Sequence, residues 1–427
     1  MTSFTLSTTP QTNRPMSLSL SPSVVFAFVG LLIASACSAP EETEQAAFDI
    51  PEDYLEQPAE IPVFWKTTLG EVSDFLEKNV RKGKVEIIGK SAGGRPIRAV
   101  FYGSAREGKG TTTFSGSLGF RDVRAYRGPD HDKTVFLGMS AVHGGEFEGI
   151  VGTVNLISVL ETGKDLRGKE WPEIVAAAAA IDRLIVIPVM NPDGRDRVPL
   201  RMEKYTDTSY QIHEFFNTGG KPDHSLIGWP DVKEFIPLDF KKTSFPGGYP
   251  NDAGVNLMHD DFFGKRQPET NALFDLVANE KPDIILNMHT GAPPTDYYAR
   301  MHRPLCEPVL EPAFTALYSK VHTALAAHGL QGTNDPEIEA KIDVARNRGL
   351  YNLDAALNLH CGALGALIEF PSHSFSGTNR AGEVVKHTPE MLLDAELVCH
   401  QEALKFLQET GGRSKWTPSP NRSKVKF

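Results

Sequence analysis

The sequence predicts an α/β fold, a single large domain on a mixed, mainly parallel central sheet with helices covering both faces. From about Ile61 onward helical and strand-like patterns alternate, the order expected when helices return the chain to a shared sheet. Four short runs, Thr134 to Met139, Leu184 to Val189, Ile284 to Leu286 and Ala366 to Ile368, are apolar on both faces and rich in Val, Ile or Leu, as strands covered on both sides should be. At 427 residues the chain exceeds the usual domain length, yet α/β enzymes of this size often fold around one sheet.

In chain order, residues 24 to 36 come first as an apolar run that ends in small residues just before Cys37. The run is too short for a membrane span and has the length of a signal-peptide core, so export to the periplasm or cell surface is expected. Leu32 to Cys37 resembles a bacterial lipoprotein processing site, which implies membrane attachment through a lipidated Cys37. Residues 1–37 are thus read as a signal peptide of lipoprotein type. Residues 38–60, rich in Glu, Ala and Pro, are read as a linker, and residues 61–410 as the catalytic domain. Residues 411–427 are read as a solvated basic tail, with Arg413, Lys415, Arg422, Lys424 and Lys426 among Pro418, Pro420 and serines. Cys306, Cys361 and Cys399 lack metal-ligand spacing and are expected to be buried thiols, with one disulfide pair as the alternative. A net charge of -10 and a pI near 5.8 exclude a surface built to neutralise phosphates, and with it a nucleic-acid partner.

Polar residues able to do chemistry follow each apolar run: His143 and Glu146, then Asn191-Pro192-Asp193-Gly194, then His289, then Glu369. Open α/β sheets bind ligands beyond the carboxyl ends of their strands, so one shared site is expected there. Ile150, Val154, Ile157 and Leu160 keep helical spacing, which places His143 and Glu146 on a strand-to-helix turn. Gly144 and Gly145 are expected to let that backbone pass close to an ion. A catalytic zinc takes three protein ligands and keeps one position open. The candidates His143, Glu146 and His289 are such a set of N and O donors. An H-x-x-E pair alone is weak, since roughly one His in eight meets an acidic residue three positions on by accident. Between Val198 and Asp252, many Pro, Gly, Asp and aromatic residues with weak periodicity predict long loops over the sheet end.

Together these motifs resemble the zinc carboxypeptidase family. Gly89-Lys90-Ser91-Ala92-Gly93-Gly94-Arg95-Pro96-Ile97 resembles its G-x-S-x-x-G-R-P-I segment. His143-Gly144-Gly145-Glu146 resembles its H-x-x-E ligand pair, Asn191 to Gly194 its N-P-D-G turn, and Gly254-Val255-Asn256-Leu257 the start of its G-V-D-L-N-R segment. The resemblance implies one zinc ion on His143, Glu146 and His289, with Glu369 as general base. It also implies an oxyanion-stabilising arginine among Arg195, Arg197 and Arg201, with Arg201 preferred, and a mobile tyrosine at Tyr351. The turn Asn191 to Gly194 also suits an ordinary type I turn.

One departure concerns the substrate. Where the family has Asn-Arg to bind a C-terminal carboxylate, this chain has Met258-His259. Met258 donates no hydrogen bond and His259 lacks a permanent charge, which leaves His259 at lower pH, or Arg346 or Arg348, to take that carboxylate. The leading expectation is a metallocarboxypeptidase acting on peptides. Its alternatives are a zinc amidohydrolase acting on N-acyl amino acids and a surface binding protein on a decayed enzyme scaffold.

Overall fold

The computed structural model describes residues 47–206, 210–291, 300–302, 307–330, 351–378, 381–417, 425 and 427. Expectations placed on Cys37, Cys306, Arg346, Arg348, Arg422, Lys424 and Lys426 lie outside these residues.

The sheet strands are β1 Lys84–Lys90, β2 Pro96–Gly103, β3 Val135–Ser140, β4 Arg183–Ile187, β5 Ile284–Thr290, β6 Arg300–His302 and β7 Leu364–Phe370, in the spatial order β1-β2-β4-β3-β5-β7-β6. β4, β3, β5 and β7 run parallel, while β1, β2 and β6 pair antiparallel at the two sides. All four predicted runs are these parallel strands. A separate hairpin joins β8 Ser376–Thr378 to β9 Val384–Lys386.

The helices used below are α1 Leu69–Asn79, α2 Phe147–Thr162, α3 Pro192–Arg197, α4 Tyr210–Thr218, α5 Pro268–Glu280, α6 Glu311–Ala327, α7 Leu353–Cys361, α8 Pro389–Thr410 and α9 Arg413–Trp416. Strand periodicity sends Phe136, Leu184, Ile284 and Ala366 to one face, where Ile150, Val154 and Ile157 of α2 and Leu393 and Leu397 of α8 cover them. Leu137, Ile185 and Ile285 point to the other face, against Leu273 and Val277 of α5 and Leu357 of α7. Each of the Val, Leu, Ile and Phe side chains among these contributes about 1.5 to 3 kcal/mol when fully buried. No helix among the described residues is long and apolar enough to cross a membrane.

Three expectations change. The folded domain starts before Ile61: Phe48 meets Phe240 and Phe245 edge-on, Asp49 N–H donates to Ser244 O, and Tyr54 packs on Phe215. Residues 48–60 are therefore not a free linker, because their aromatic side chains find an apolar face that local composition does not reveal. The segment from Val198 to Asp252 is not all loop, since α4 buries Phe215 and Phe216 within it. Arg413 is not a solvated tail residue. It is buried in α9, pairs with both Glu307 oxygens at 2.9 and 2.7 Å, and its N–H donates to Asp283. Cys361 and Cys399 are buried free thiols, as expected.

His400 on α8 lies flat in the core. It is fully buried, meets Phe136 edge-on, and fits because Gly138 carries no side chain: a Cβ there would sit 3.2 Å from His400 Cε1. Neither ring nitrogen has a hydrogen-bond partner among the described residues. Burial pushes its pKa down to about 3. The unfolded imidazole takes up a proton below about 6.5 and the folded one does not, so this group costs stability progressively as pH falls from 6.5 toward 3. His400→Leu is therefore expected to resist acid better than the wild type, with a relative gain of about 2 kcal/mol between pH 7 and pH 5. Urea unfolding at both pH values measures it, and an unchanged pH dependence would contradict the buried neutral state.

Candidate metal centre

The chain order around the sheet explains where the donors meet. β4 lies on one side of β3 and β5 on the other, so the strand order reverses at β3. The crevice beyond that reversal is where α/β sheets bind ligands. His143 follows the end of β3, and His289 lies at the end of β5. Between β3 and His143 the chain turns through Ala141, whose φ of 51° is left-handed and strained for a non-glycine residue. Its carbonyl accepts from Asn191 N–H at 2.8 Å, which fixes the bend.

His143, Glu146 and His289 are buried, and their donor atoms all lie within 4.8 Å of one another. His143 Nδ1 stands 2.8 Å from Glu146 Oε1, and His289 Nδ1 stands 2.9 Å from Glu146 Oε2. Both imidazoles thus turn the same nitrogen toward one carboxylate. His143 Nε2 faces Asn256 Oδ1 at 3.2 Å; a proton on Nε2 would be donated to Asn256 and would leave the Nδ1 lone pair for a cation. Tyr249 stacks on His143 at 3.7 Å between ring centroids, and Thr290 N–H donates to Glu146 Oε2 at 2.9 Å.

Burial opposes charge on all three groups. It outweighs the attraction of Glu146 at His143, which is held below its ordinary pKa. At Glu146 and His289 the mutual attraction prevails over burial, lowering the carboxyl and raising the imidazole. The cluster therefore gathers positive charge beside Glu146 as a proton on His289, where a divalent ion would serve instead, and metal uptake would release that proton. Two neutral-nitrogen donors and one carboxylate, with no thiolate, fit an open catalytic zinc site and not a closed structural one.

Glu369 is brought to the same place. In the parallel β5–β7 ladder its Cα is paired with that of His289, and a Cβ on Gly291 would sit 2.8 Å from Glu369 Oε2. The side chain is only partly buried, so the cost of an acidic residue in an apolar strand is smaller than the sequence suggests.

The motif residues around the donors hold the turn in place. Gly144 and Gly145 do not make room for an ion, as expected from sequence, but for other backbone. A Cβ on Gly144 would lie 2.0 Å from Arg195 N, and one on Gly145 2.8 Å from Phe216 O. Asn191 to Gly194 opens α3 in place of a free type I turn, with Asn191 Oδ1 accepting from Gly194 N–H at 2.9 Å. Asp193 is gripped by the first motif: Ser91 Oγ donates to it at 2.5 Å, Gly93 N–H at 2.8 Å and Arg95 at 2.9 Å.

The three arginines after this turn are used structurally. Arg195 is buried over the Phe147 ring and donates to the carbonyls of Thr67 and Val198. Arg197 donates to Gly247 O and Pro250 O and pairs with Asp252. Arg201, the preferred oxyanion residue, is turned instead to Glu71 at 2.5 Å, the residue that completes the capping box of α1. The structure does not bring it to the donors. Tyr351 packs between Phe262, edge-on at 5.8 Å, and Phe263, stacked at 5.8 Å.

Met258 is buried, and its sulfur takes the Asn287 amide at 3.6 Å. His259 is half-buried beside Trp229, with 6.3 Å between ring centroids. Burial, then the charges of Lys233 and His143, push its pKa down to about 4, so His259 is uncharged at neutral pH and is no substitute cation there.

Sequence reasoning missed Asn256, Tyr249 and Thr290 around the ligands. It also missed a buried layer behind them. Thr290 Oγ1 donates to Glu148 Oε2 at 2.9 Å, and Thr290 O accepts from His213 Nε2 at 3.0 Å. His213 Nδ1 faces Glu203 Oε1 at 3.2 Å, and although burial opposes it, Glu203 holds the imidazolium up to about 10. Only Asn256 carried a sequence signal, standing where the resembled segment has Asp.

A mainly parallel α/β sheet with a buried His-Glu-His donor set beyond its switch point defines a metal-dependent enzyme scaffold. The chain belongs to the zinc carboxypeptidase family, whose model matches residues 74–295. That match covers His143, Glu146 and His289 and ends before Glu369, whose placement rests on the strand ladder. No curated protein matches the sequence. Among solved structures, the chain is similar to a metallo-carboxypeptidase from Burkholderia cenocepacia, at 14% identity, 80% of this chain and 69% of that one, with a TM-score of 0.47. It is also similar to a Pseudomonas aeruginosa metallo-carboxypeptidase in complex with (2-guanidinoethylmercapto)succinic acid, at 13% identity, 80% and 69% coverage and a TM-score of 0.45. A third is the carboxypeptidase A from Helicoverpa armigera, at 13% identity, 83% and 75% coverage and a TM-score of 0.42.

Purified protein is expected to hold one equivalent of zinc by elemental analysis, and His289→Ala to hold none. Asn256→Ala, which removes the partner of His143 together with the cap on Met258 N–H, is expected to weaken zinc about 10- to 100-fold in a chelator competition. Full zinc in His289→Ala would remove that residue from the donor set.

Proposed function

We propose that the protein is a zinc metallocarboxypeptidase that hydrolyses peptide bonds, with His143, Glu146 and His289 holding one ion and Glu369 acting as general base. The observation that carries this reading is the pairing of Glu369 with His289 on adjacent parallel strands, which sets an acid–base group one strand away from a metal ligand. Zinc held by His143, Glu146 and His289 would supply Lewis acidity toward the scissile carbonyl and toward a water molecule. Glu369 accepts the proton of the attacking water as the oxygen–carbon bond forms, and passes it to the amine nitrogen as the carbon–nitrogen bond breaks. Thr290 N–H and Asn256 keep Glu146 and His143 oriented through both steps.

A deacylase acting on N-acyl amino acids would use the same ligands and base. Peptides with a free C-terminus are expected to be cleaved and their amidated counterparts spared; equal cleavage of both would remove the carboxypeptidase reading. Glu369→Gln is expected to keep its zinc and lose about 10²- to 10⁴-fold in kcat. The enzyme is further read as exported and anchored through Cys37, on the strength of the apolar run before that residue. Fatty-acid labelling of the wild type that persists in Cys37→Ala would exclude this anchor.

A further inference from the structure

We propose that Lys233 holds the free carboxylate of the substrate, in place of the arginine that this chain lacks at His259. The inference rests on the carboxypeptidase reading and names the cation that this reading requires.

Lys233 belongs to the short turn Asp231–Glu234, inside the segment that covers the sheet end. Its ammonium stands 3.9 Å from the centre of the Trp229 ring, and that ring lies 6.3 Å from His259. His259 ends the short turn capped by Asn256, whose Oδ1 stands 3.2 Å from His143 Nε2, so one turn joins the neighbour of Lys233 to the candidate donor set. The side chain is half-buried, yet it makes no ion pair among the described residues, although Asp231 and Glu234 share its turn. Partial burial of its stem draws the ammonium part-way out of water, at a cost that no counter-charge offsets among the described residues. The aromatic face compensates only in part, and it occupies one side of a group with three donors. An arriving carboxylate completes the set.

The surroundings suit the residue that carries such a carboxylate. Trp229 is 50% exposed beside His259, an aromatic face able to take an apolar side chain. Arg195, Arg197 and Arg201 are already committed to carbonyls or carboxylates, while Arg346 and Arg348 lie outside the described residues. A compact ammonium binds a carboxylate as a point charge, less selectively for geometry than a guanidinium fork.

The test measures binding and does not depend on turnover. Zinc-loaded wild type, Lys233→Met, Lys233→Arg and, as a charge-matched control, Lys241→Met are titrated calorimetrically with 3-phenylpropanoate and with its uncharged amide. The wild type is expected to prefer the acid by about tenfold or more, as a charged hydrogen bond implies. Lys233→Met should abolish this preference without altering amide affinity or zinc content, Lys233→Arg should keep most of it, and Lys241→Met should keep all of it. No preference in the wild type, or a preference intact in Lys233→Met because the acid sits on the metal or on another cation, overturns the proposal. The free and amidated peptide pair tests the carboxypeptidase reading separately, so the two failures are distinguishable.

Discussion

The backbone of Gly144 and Gly145 lies against Arg195, Phe216 and Gly248 with no room for one side-chain carbon, and the metal centre depends on that contact. Gly144 N–H donates to Gly248 O at 2.8 Å, and the same stretch of chain carries His143 on one side and Glu146 on the other. Strain at Ala141 bends the chain out of β3, and the approach of the N-P-D-G segment holds it bent. Asp193, fixed by Ser91, Gly93 and Arg95, ties that segment to the hairpin formed by β1 and β2. Motifs far apart in sequence are in this way parts of one clamp, whose product is the angle at which two ligands leave a strand.

A carboxylate placed between two imidazoles in a buried site must be balanced, and the structure does so in layers. Glu146 receives Thr290 N–H, lies in hydrogen-bond contact with His143 Nδ1, and stands 2.9 Å from His289 Nδ1 as an ion pair. Thr290 in turn joins Glu148 and His213, and His213 is balanced by Glu203. Polar networks of this kind are rigid when every member is satisfied. The ligands therefore rest on a bonded second layer and not on apolar packing alone, which suits a centre that must keep its geometry while charge moves through it.

Much of this was legible in the sequence. Apolar runs marked the four parallel strands and helical spacing marked α2, and the polar residues after those runs marked the cluster of His143, Glu146 and His289, because parallel strands align their carboxyl ends whatever the loops do. What could not be read depended on contacts without local pattern. Arg413 looks like part of a basic tail until Glu307 comes from elsewhere to neutralise it. Arg201 sits at a plausible spacing but is captured by Glu71, and residues 48–60 have linker composition yet lie on Phe215, Phe240 and Phe245. Gly144 and Gly145 were noticed for the right reason, close approach, with the wrong neighbour.

The β5–β7 ladder carries a further consequence. Since His289 and Glu369 are opposite one another in a hydrogen-bonded register, their separation is set by interstrand spacing, which barely varies among proteins. The covering segment that holds Trp229, Lys233 and His259 has no part in that ladder. Substitutions in that segment can therefore change what surrounds the donors, while the spacing of His289 and Glu369 stays fixed by the scaffold beneath them.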